Sequence, residues 1–514
     1  MSTSRKSKKP ANGPDGSDGG RELSSKSEGA VPLEKTIDPL VEEYGALFTS
    51  DEKTTKANQI ALAAKFSRDH QVLFDAEASS FLKYNATSGL WEDTKEPAIK
   101  VRLARFIKQE AEKNDAADFI PKRTNSFLGA VLQLLKGFTI PDLAARLPAL
   151  IHVGNGMLDL SVSPAVLRPF SADLHSRRMC SIAYQPGTKC SRFLDDLLGP
   201  AISPEDVLLL QRFFGAVLLG TNAAQRFLIV SGEAARGKST VITLLEWIIG
   251  LVNVAHLRTD HLPGRFETHG FLNKTLLTAK DVSGDFLARK GAQMLKALVG
   301  DDLIESELKY GGKFRLRGNF NIVVTTNNRL RLAMEEDEPA WRRRLLVINF
   351  AGTPPKQRIA NFGGSLLREE SEGILTWMVE GAVAHLKELE RHGDFHLSEA
   401  QQGQIDELLQ QSQSPAVFIR NAVTKQQGGD ITVEELKQGY LDFCHSKKWE
   451  PYSARQFENA LVDLMQSIHG VLRRNDITRG GKSQRGFKHV TLNATQSPSN
   501  RPIYAKCTKR TRGR

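Results

Sequence analysis

The sequence predicts an α/β chain: a P-loop ATPase core with a mixed α/β domain before it and a winged-helix domain after it. Three observations predict this. The first is QRFLIVSGEAARGKSTVITLLEWIIG, residues 225–250, where an apolar strand enters a glycine-bounded loop and then an apolar-periodic helix. The second is the pair of later strands in KTLLTAKD and NFNIVVTTNN, apolar and β-branched as buried parallel strands are. The third is a C-terminal series of three helices and a two-stranded hairpin beyond Pro415.

The elements follow in order. Residues 1–40 are Ser, Gly, Lys and Pro with almost no large apolar side chains, so they read as a disordered tail without a signal core. Residues 41–195 alternate helical patterns (VRLARFIKQEAEK, NSFLGAVLQLLKGF) with strand-like pieces (SFLKYNATSGLWED, LIHVGNGMLDLSV), an accessory domain ahead of the nucleotide core. The ATPase domain spans 196–390, and the polar stretch SEAQQGQIDELLQQSQSP places a linker over 391–415. Residues 416–492 read as the winged helix and 493–514 as a basic tail.

Composition narrows the partners. A net charge of +11 favours a polyanion such as DNA, and no apolar run is long enough for a bilayer, so a soluble, non-exported protein is expected. Cys180, Cys190, Cys444 and Cys507 form no C-x-x-C pair and read as incidental thiols.

The phosphate loop carries the chemistry. Gly232 and Gly237 bracket Glu233, Ala234, Ala235 and Arg236, so successive backbone N–H groups converge on phosphate oxygens at the start of the helix carrying Lys238, Ser239 and Thr240. Lys238 reaches the β- and γ-phosphates of ATP, and Ser239 offers its hydroxyl to Mg²⁺. Such a core also needs an acid for the metal, a polar sensor of the γ-phosphate and a basic residue for transferring charge. Asp281, at the end of an apolar strand, is the acid for Mg²⁺, with Asp285 a competitor and Lys280 where a second acid often sits. Asn327 and Asn328 end the next strand and supply a sensing amide. The cluster Trp341-Arg342-Arg343-Arg344 precedes the strand LLVINF and offers a guanidinium to a neighbour's site. Between acid and sensor lies a hairpin turning at Gly311-Gly312, with Lys309, Tyr310, Lys313 and Arg315 placed to touch a nucleic-acid backbone.

The ordered set GEAARGKST, TLLTAKD, MLKALVGDD, FNIVVTTNN and WRRRLLVINF resembles the superfamily 3 helicases, above all the helicase part of phage and plasmid primase-helicases and their poxvirus-like relatives. NGMLDL, CSIAYQPGTKCSRFLDDLL and ESEGILTWMVEGAVAHLKE resemble flanking parts of that family, so the likeness spans most of residues 70–492. The resemblance implies an AAA+-type ATPase that assembles as a hexameric ring in a bacterial host cell, hydrolyses ATP between subunits and unwinds DNA at replication initiation. It assigns phosphate binding to Lys238, Mg²⁺ to Ser239 and Asp281, sensing to Asn327, the finger to Arg343 or Arg344, and the family's extra motif to Lys296 and Asp302. Two departures stand out: Asp281 where the family often has Glu, and Glu307 where it often has Arg. No closely spaced acidic pair lies on an apolar strand ahead of the nucleotide domain, where Asp159 stands alone, and no cysteine-rich zinc module is present. Primase activity is therefore not expected from this chain, and a separate polypeptide could provide it. Two other classes compete: an ATP-switched initiator without processive unwinding, and a small-molecule P-loop kinase. The kinase reading leaves the hairpin, the arginines and the C-terminal domain unused.

Overall fold

The computed structural model describes residues 38–493 apart from 52–53, 77, 140–148, 259–260, 263, 265–266, 285, 289–290, 308–312, 328–329, 333–337 and 355–358, and omits the side chains of 288, 313 and 314. Residues 1–37 and 494–514 of the expected tails, Cys507, Asp285, Lys309, Tyr310, Gly311-Gly312 and Asn328 therefore lie outside the described residues, while a short helix Pro39–Tyr44 already begins inside the expected N-terminal tail.

The N-terminal part packs helices Gln59–His70, Glu96–Lys113 and Asn125–Leu135 with an antiparallel sheet of Val72–Asp75, Ser80–Asn85 and Leu90–Thr94. Leu62, Phe66, Phe81, Leu103, Phe106 and Leu132 form its core. The accessory domain was expected to run to residue 195. Instead the hairpin Leu150–Val153/Gly156–Asp159 sends Ile151, Val153 and Leu158 into the core of the following unit, together with Cys190 and Phe193.

That unit begins with α1 (Pro204–Leu219), capped by Ser203 and ended by a left-handed Gly220. Its sheet is built from β1 (Phe227–Ser231), β2 (Val254–His256) and β3 (Leu276–Ala279), with α2 (Lys238–Ile249) between the first two and α3 (Gly291–Val299) after the third. A hairpin, β4 (Leu303–Glu307) and β5 (Lys313–Arg317), precedes β6 (Asn321–Thr326), and α4 (Glu338–Arg342) leads into β7 (Leu345–Asn349). The five sheet strands are all parallel, in the order β2-β3-β6-β1-β7. Successive side chains alternate between the faces. Leu228 and Val230 join Val241, Leu245 and Phe214 on one face, while Phe227 and Ile229 join Leu295, Leu298 and Trp341 on the other. Burial on both faces is why these strands read as unbroken apolar runs.

The long helix α5 (Phe362–His392) returns along α1. At its end Asp394 takes a two-pronged bond from Arg226, at 2.5 and 2.6 Å, while Arg226 also donates to the Leu345 carbonyl at 2.7 Å. The entries of β1 and β7 are thereby pinned to one carboxylate. The polar stretch expected to be a linker is instead a helix, α6 (Glu399–Ser412), opened by a capping box at Ser398 and Gln401. Ile405 and Leu409, spaced one turn apart, are buried against the sheet's second face, so two apolar positions in a polar sequence decide its place.

Beyond it come α7 (Ser414–Ala422), β8 (Val423–Thr432), α8 (Val433–Ser446), α9 (Ala454–His469), β9 (Arg474–Arg479) and β10 (Lys482–Leu492). The three strands make an antiparallel sheet ordered β8-β10-β9, and Phe418, Leu436, Tyr440, Phe457, Leu461 and Phe487 form a separate core. The expected hairpin is β9–β10, and β8 is a strand not foreseen, made of the polar VTKQQGGDIT. No helix among the described residues is long and apolar enough to cross a membrane.

His385 of α5 is 2% exposed and stacks on Phe395 at 4.3 Å. Burial, aided by Arg212 and opposed by Asp394, pushes its imidazole down from 6.5 to about 4. Between those values the unfolded chain takes up a proton that the folded chain refuses, so stability is intact above pH 6.5 and falls as pH drops. In urea unfolding, moving from pH 7 to pH 5 should cost the wild type about 2 kcal/mol more than His385→Phe. Equal losses would place the acid sensitivity elsewhere.

Candidate nucleotide site

The site forms where β1, β3 and β6 end. Thr326 pairs with Ser231 and Ala279 with Val324, so the residues that follow leave the sheet along one carboxyl edge. In open parallel sheets ligands bind at that edge, where neighbouring strands diverge in connection. After Ser231 the chain passes the exit of β7 so closely that a Cβ on Gly232 would lie 2.5 Å from the Phe350 carbonyl oxygen. Gly237, at φ +89°, turns the loop into α2, and Ala235 accepts a left-handed φ of +65° that alanine rarely adopts.

Lys238 is buried, and its ammonium donates to the carbonyls of Gly232 at 2.6 Å and Glu233 at 2.7 Å and to Oδ1 of Asn327 at 2.9 Å. Asn327 in turn donates through Nδ2 to Oδ1 of Asp281 at 3.0 Å. The expected phosphate lysine, sensor and acid are therefore one connected chain. Burial lowers the amine's pKa, Arg236 lowers it further, and Asp281 opposes both. All its present acceptors are shared or neutral oxygens, and anionic phosphate oxygens make stronger, charge-assisted bonds. Arg236 folds over the loop to Glu233 at 2.5 Å, holding that carboxyl below its usual range, and reaches the Ala351 carbonyl at 3.4 Å. Ala234 is exposed beside it, Ser239 is exposed on the first turn of α2, and Thr240 is half-buried.

Asp281 holds a left-handed φ of +53° and donates its N–H to Thr325 Oγ1 at 3.1 Å. Val282 donates to the Thr325 carbonyl at 3.0 Å, and Thr326 Oγ1 returns a bond to the Val282 carbonyl at 3.2 Å. These bonds lock the acid and sensor segments together. Asp281 and Ser239 fit Mg²⁺, which takes one carboxylate and completes its shell with phosphates and waters. No group of three or more His, Cys, Asp or Glu among the described residues forms an all-protein metal cage.

The other expected residues lie elsewhere. β7 pairs Leu345 with Phe227 and Asn349 with Ser231, so the arginines preceding it stand roughly 13 Å down the strand from their own loop at 3.3 Å per residue. Arg342 is tied to Glu338 at 2.9 Å and to Asp406. Arg344 is buried, with Nη1 donating to the Ala340 carbonyl at 3.0 Å, whereas Arg343 is exposed. Lys296 sits 5.2 Å over the buried ring of Trp341. A Cβ on Gly300 would meet Arg344 Nη2 at 3.1 Å and Asp302 Oδ2 at 3.5 Å, so the extra-motif residues gather near the arginine cluster and away from the phosphate loop.

In the hairpin, β4 and β5 set Glu305 opposite Arg315 and Glu307 opposite Lys313, with Arg315 exposed. The stem is therefore mixed in charge. Two further contacts escaped the sequence reading. Lys280 turns from the edge to the buried Glu246 of α2, at 2.6 Å, and Thr278 donates to the same carboxyl at 2.7 Å. The available signal was a lone acid in the apolar helix TVITLLEWII. Arg331, four residues beyond the sensor, reaches the C-terminal unit through a carbonyl and a ring, and no motif announces it.

Residues 60–199 match the family model described as D5 N terminal like, and residues 229–344 match a family of unknown function, DUF5906. The A form apo structure of the NrS-1 C terminal region aligns at 11% identity over 85% of this chain and 99% of that one, with a TM-score of 0.43. A second apo structure of the NrS-1 C terminal region aligns at 12% identity over 85% and 99%, with a TM-score of 0.44. No curated protein matches the chain.

Replacing Lys238 with alanine removes the cation that the loop is folded around. Titration with Mg-ATP should show at least a tenfold loss of affinity, about 1.4 kcal/mol or more, with an unchanged far-ultraviolet spectrum. Wild-type affinity in Lys238→Ala would remove this loop from nucleotide binding.

Proposed function

We propose that this chain is the ATP-hydrolysing subunit of a superfamily 3, AAA+-type DNA helicase of a phage, plasmid or other mobile element, working as a hexameric ring at replication initiation. The observation that carries the reading is the division of the site between two ends of one sheet. Lys238, Asn327 and Asp281 meet at the carboxyl edge, while the exposed Arg343 stands a strand's length below it in the turn that enters the edge strand β7. An arginine so placed serves a neighbour's nucleotide, and a head-to-tail contact that repeats by rotation closes a ring. The match to the D5 N terminal like family over 60–199 supports a place among phage primase-helicase-type proteins.

In this reading Lys238 exchanges its carbonyl partners for the β- and γ-phosphates, and the backbone N–H groups of 233–239 cradle them. Asn327, released by Lys238, contacts the γ-phosphate and orients the attacking water, with Asp281 beside it. Ser239 and Asp281 would hold Mg²⁺, which would neutralise charge on the phosphate oxygens. Arg343, rather than the buried Arg344, is the finger, since a forked, permanently charged guanidinium must be able to leave its own surface. The C-terminal unit, α-β-α-α-β-β in order, is the winged helix, and Lys309, Tyr310, Lys313 and Arg315 of the hairpin contact the DNA backbone. One observation favours the alternative of an ATP-switched initiator: the opposed charges of the hairpin stem leave little net positive charge there.

Rings mixed from Arg343→Ala and Lys238→Ala subunits should recover part of the ATP turnover that either variant alone lacks, because some interfaces then pair an intact loop with an intact finger. Turnover no higher than the two separate variants would contradict the shared site. Changing Lys309 and Lys313 together to alanine should cut strand displacement about tenfold while DNA-free turnover holds, as loss of phosphate contacts predicts. Unchanged displacement would take the hairpin out of the mechanism.

A further inference from the structure

We propose that Arg331 is a positioning residue that makes the C-terminal unit respond to the nucleotide site, by clamping the turn that starts α9 to the segment carrying Asp281 and Asn327. The proposal rests on the nucleotide reading above and adds to it a fixed mechanical link.

The link begins at the site. Residues 281–282 are bonded three times to 325–326, and the Arg331 N–H donates to the Gly284 carbonyl at 2.6 Å. Arg331 is therefore tied to the segment 281–284, whose other end holds Asp281 against Asn327. Its side chain points the opposite way. Nη2 donates to the Pro451 carbonyl at 2.8 Å, and the guanidinium lies 4.6 Å from the centroid of the Tyr452 ring. A flat, delocalised cation serves both contacts, where an ammonium would serve one.

Pro451 and Tyr452 immediately precede Ser453, the residue that caps α9 with a capping box. Tyr452 spreads the contact further. Its hydroxyl donates to the Ser412 carbonyl at 2.7 Å, and its N–H donates to the Tyr440 hydroxyl at 3.0 Å. Tyr440 stacks on Phe457 of α9 at 4.3 Å and shares a hydrogen bond with Ser414 at 2.8 Å. Ser412 also accepts from the Leu332 N–H at 3.0 Å, so the residue after Arg331 is held to the end of α6 as well. A displacement of 281–284 thus reaches the cap and the buried face of α9 through Arg331 and the groups bonded to it.

Nucleotide entry acts on the near end of this link, because phosphate oxygens compete for the Lys238 donor that now binds Asn327 and for the Asn327 amide that now binds Asp281. The far end then moves with Arg331. Coupling of this kind is reciprocal, so whatever α9 holds changes nucleotide affinity by the same factor.

Hydrogen exchange tests the link in the full chain. Adding the non-hydrolysable analogue AMP-PNP with Mg²⁺ should change amide exchange across 449–456 by roughly fivefold or more in the wild type, the lower end of usual coupling strengths. Arg331→Met, which keeps the stem but removes the fork, should bind the analogue with wild-type affinity and lose most of that change. Arg331→Lys should restore a part of it, and Tyr452→Phe, which keeps the ring and drops the Ser412 bond, should retain more than Arg331→Met. Analogue binding with no change across 449–456 in the wild type overturns the link and leaves the nucleotide site standing. A full change in Arg331→Met also overturns it. Failure of the wild type to bind the analogue overturns the link and the nucleotide reading together.

Discussion

A cation taken out of water needs oxygen atoms close by, and in this chain the Lys238 ammonium finds them in two carbonyls of its own loop and in the amide of Asn327. That requirement fixes the loop's closed shape, and it reaches across the sheet because Asn327 follows a different strand. Asn327 passes the constraint on to Asp281, just beyond a third. The register of β1, β6 and β3 is what allows it, since a slip of one residue would carry Asn327 away from Lys238 and Asp281. Sheet order, two-sided burial and the Arg226–Asp394 fork below all serve to hold that register.

The same sheet explains why the basic cluster faces outward. β7 is the outermost strand, and its N-terminal end lies opposite the phosphate loop. Of three consecutive arginines, one is spent on Glu338 and Asp406 and one is buried beside α4, leaving Arg343 at the surface. Lys296 and Trp341 brace this corner from inside, which gives the extra-motif lysine a structural part whatever else it touches. Lys280 shows the same economy at the other edge. A lysine beside Asp281 would compete for its charge, but the buried Glu246 draws the amine away from it.

Much of this was legible in the sequence because it is local. The strand, loop and helix of 225–250, the acid after TLLTA and the amide after NIVVTT each announce themselves through composition over a few residues. What the sequence left unread depends on partners distant along the chain. Ile405 and Leu409 carry too weak an apolar signal to mark a packed helix in SEAQQGQIDELLQQSQSP, yet the sheet face waiting for them makes one. β8 exists because β10 pairs with it, although VTKQQGGDIT has little strand propensity of its own. The core shared between the hairpin 150–159 and α1 erased a boundary that composition placed near residue 195. Which arginine is exposed, and where Arg331 reaches, are tertiary facts without a sequence signature.

The proposed motor hydrolyses ATP between subunits to unwind DNA, and strand displacement on forked DNA with a 3′ or 5′ tail, with ATP turnover followed in the same tube, tests that proposal most directly. The account predicts that one tail polarity supports displacement, and that displacement and turnover rise together with DNA and vanish together in Lys238→Ala. Brisk turnover with no displacement on either fork would contradict it and leave an ATP-switched initiator in its place.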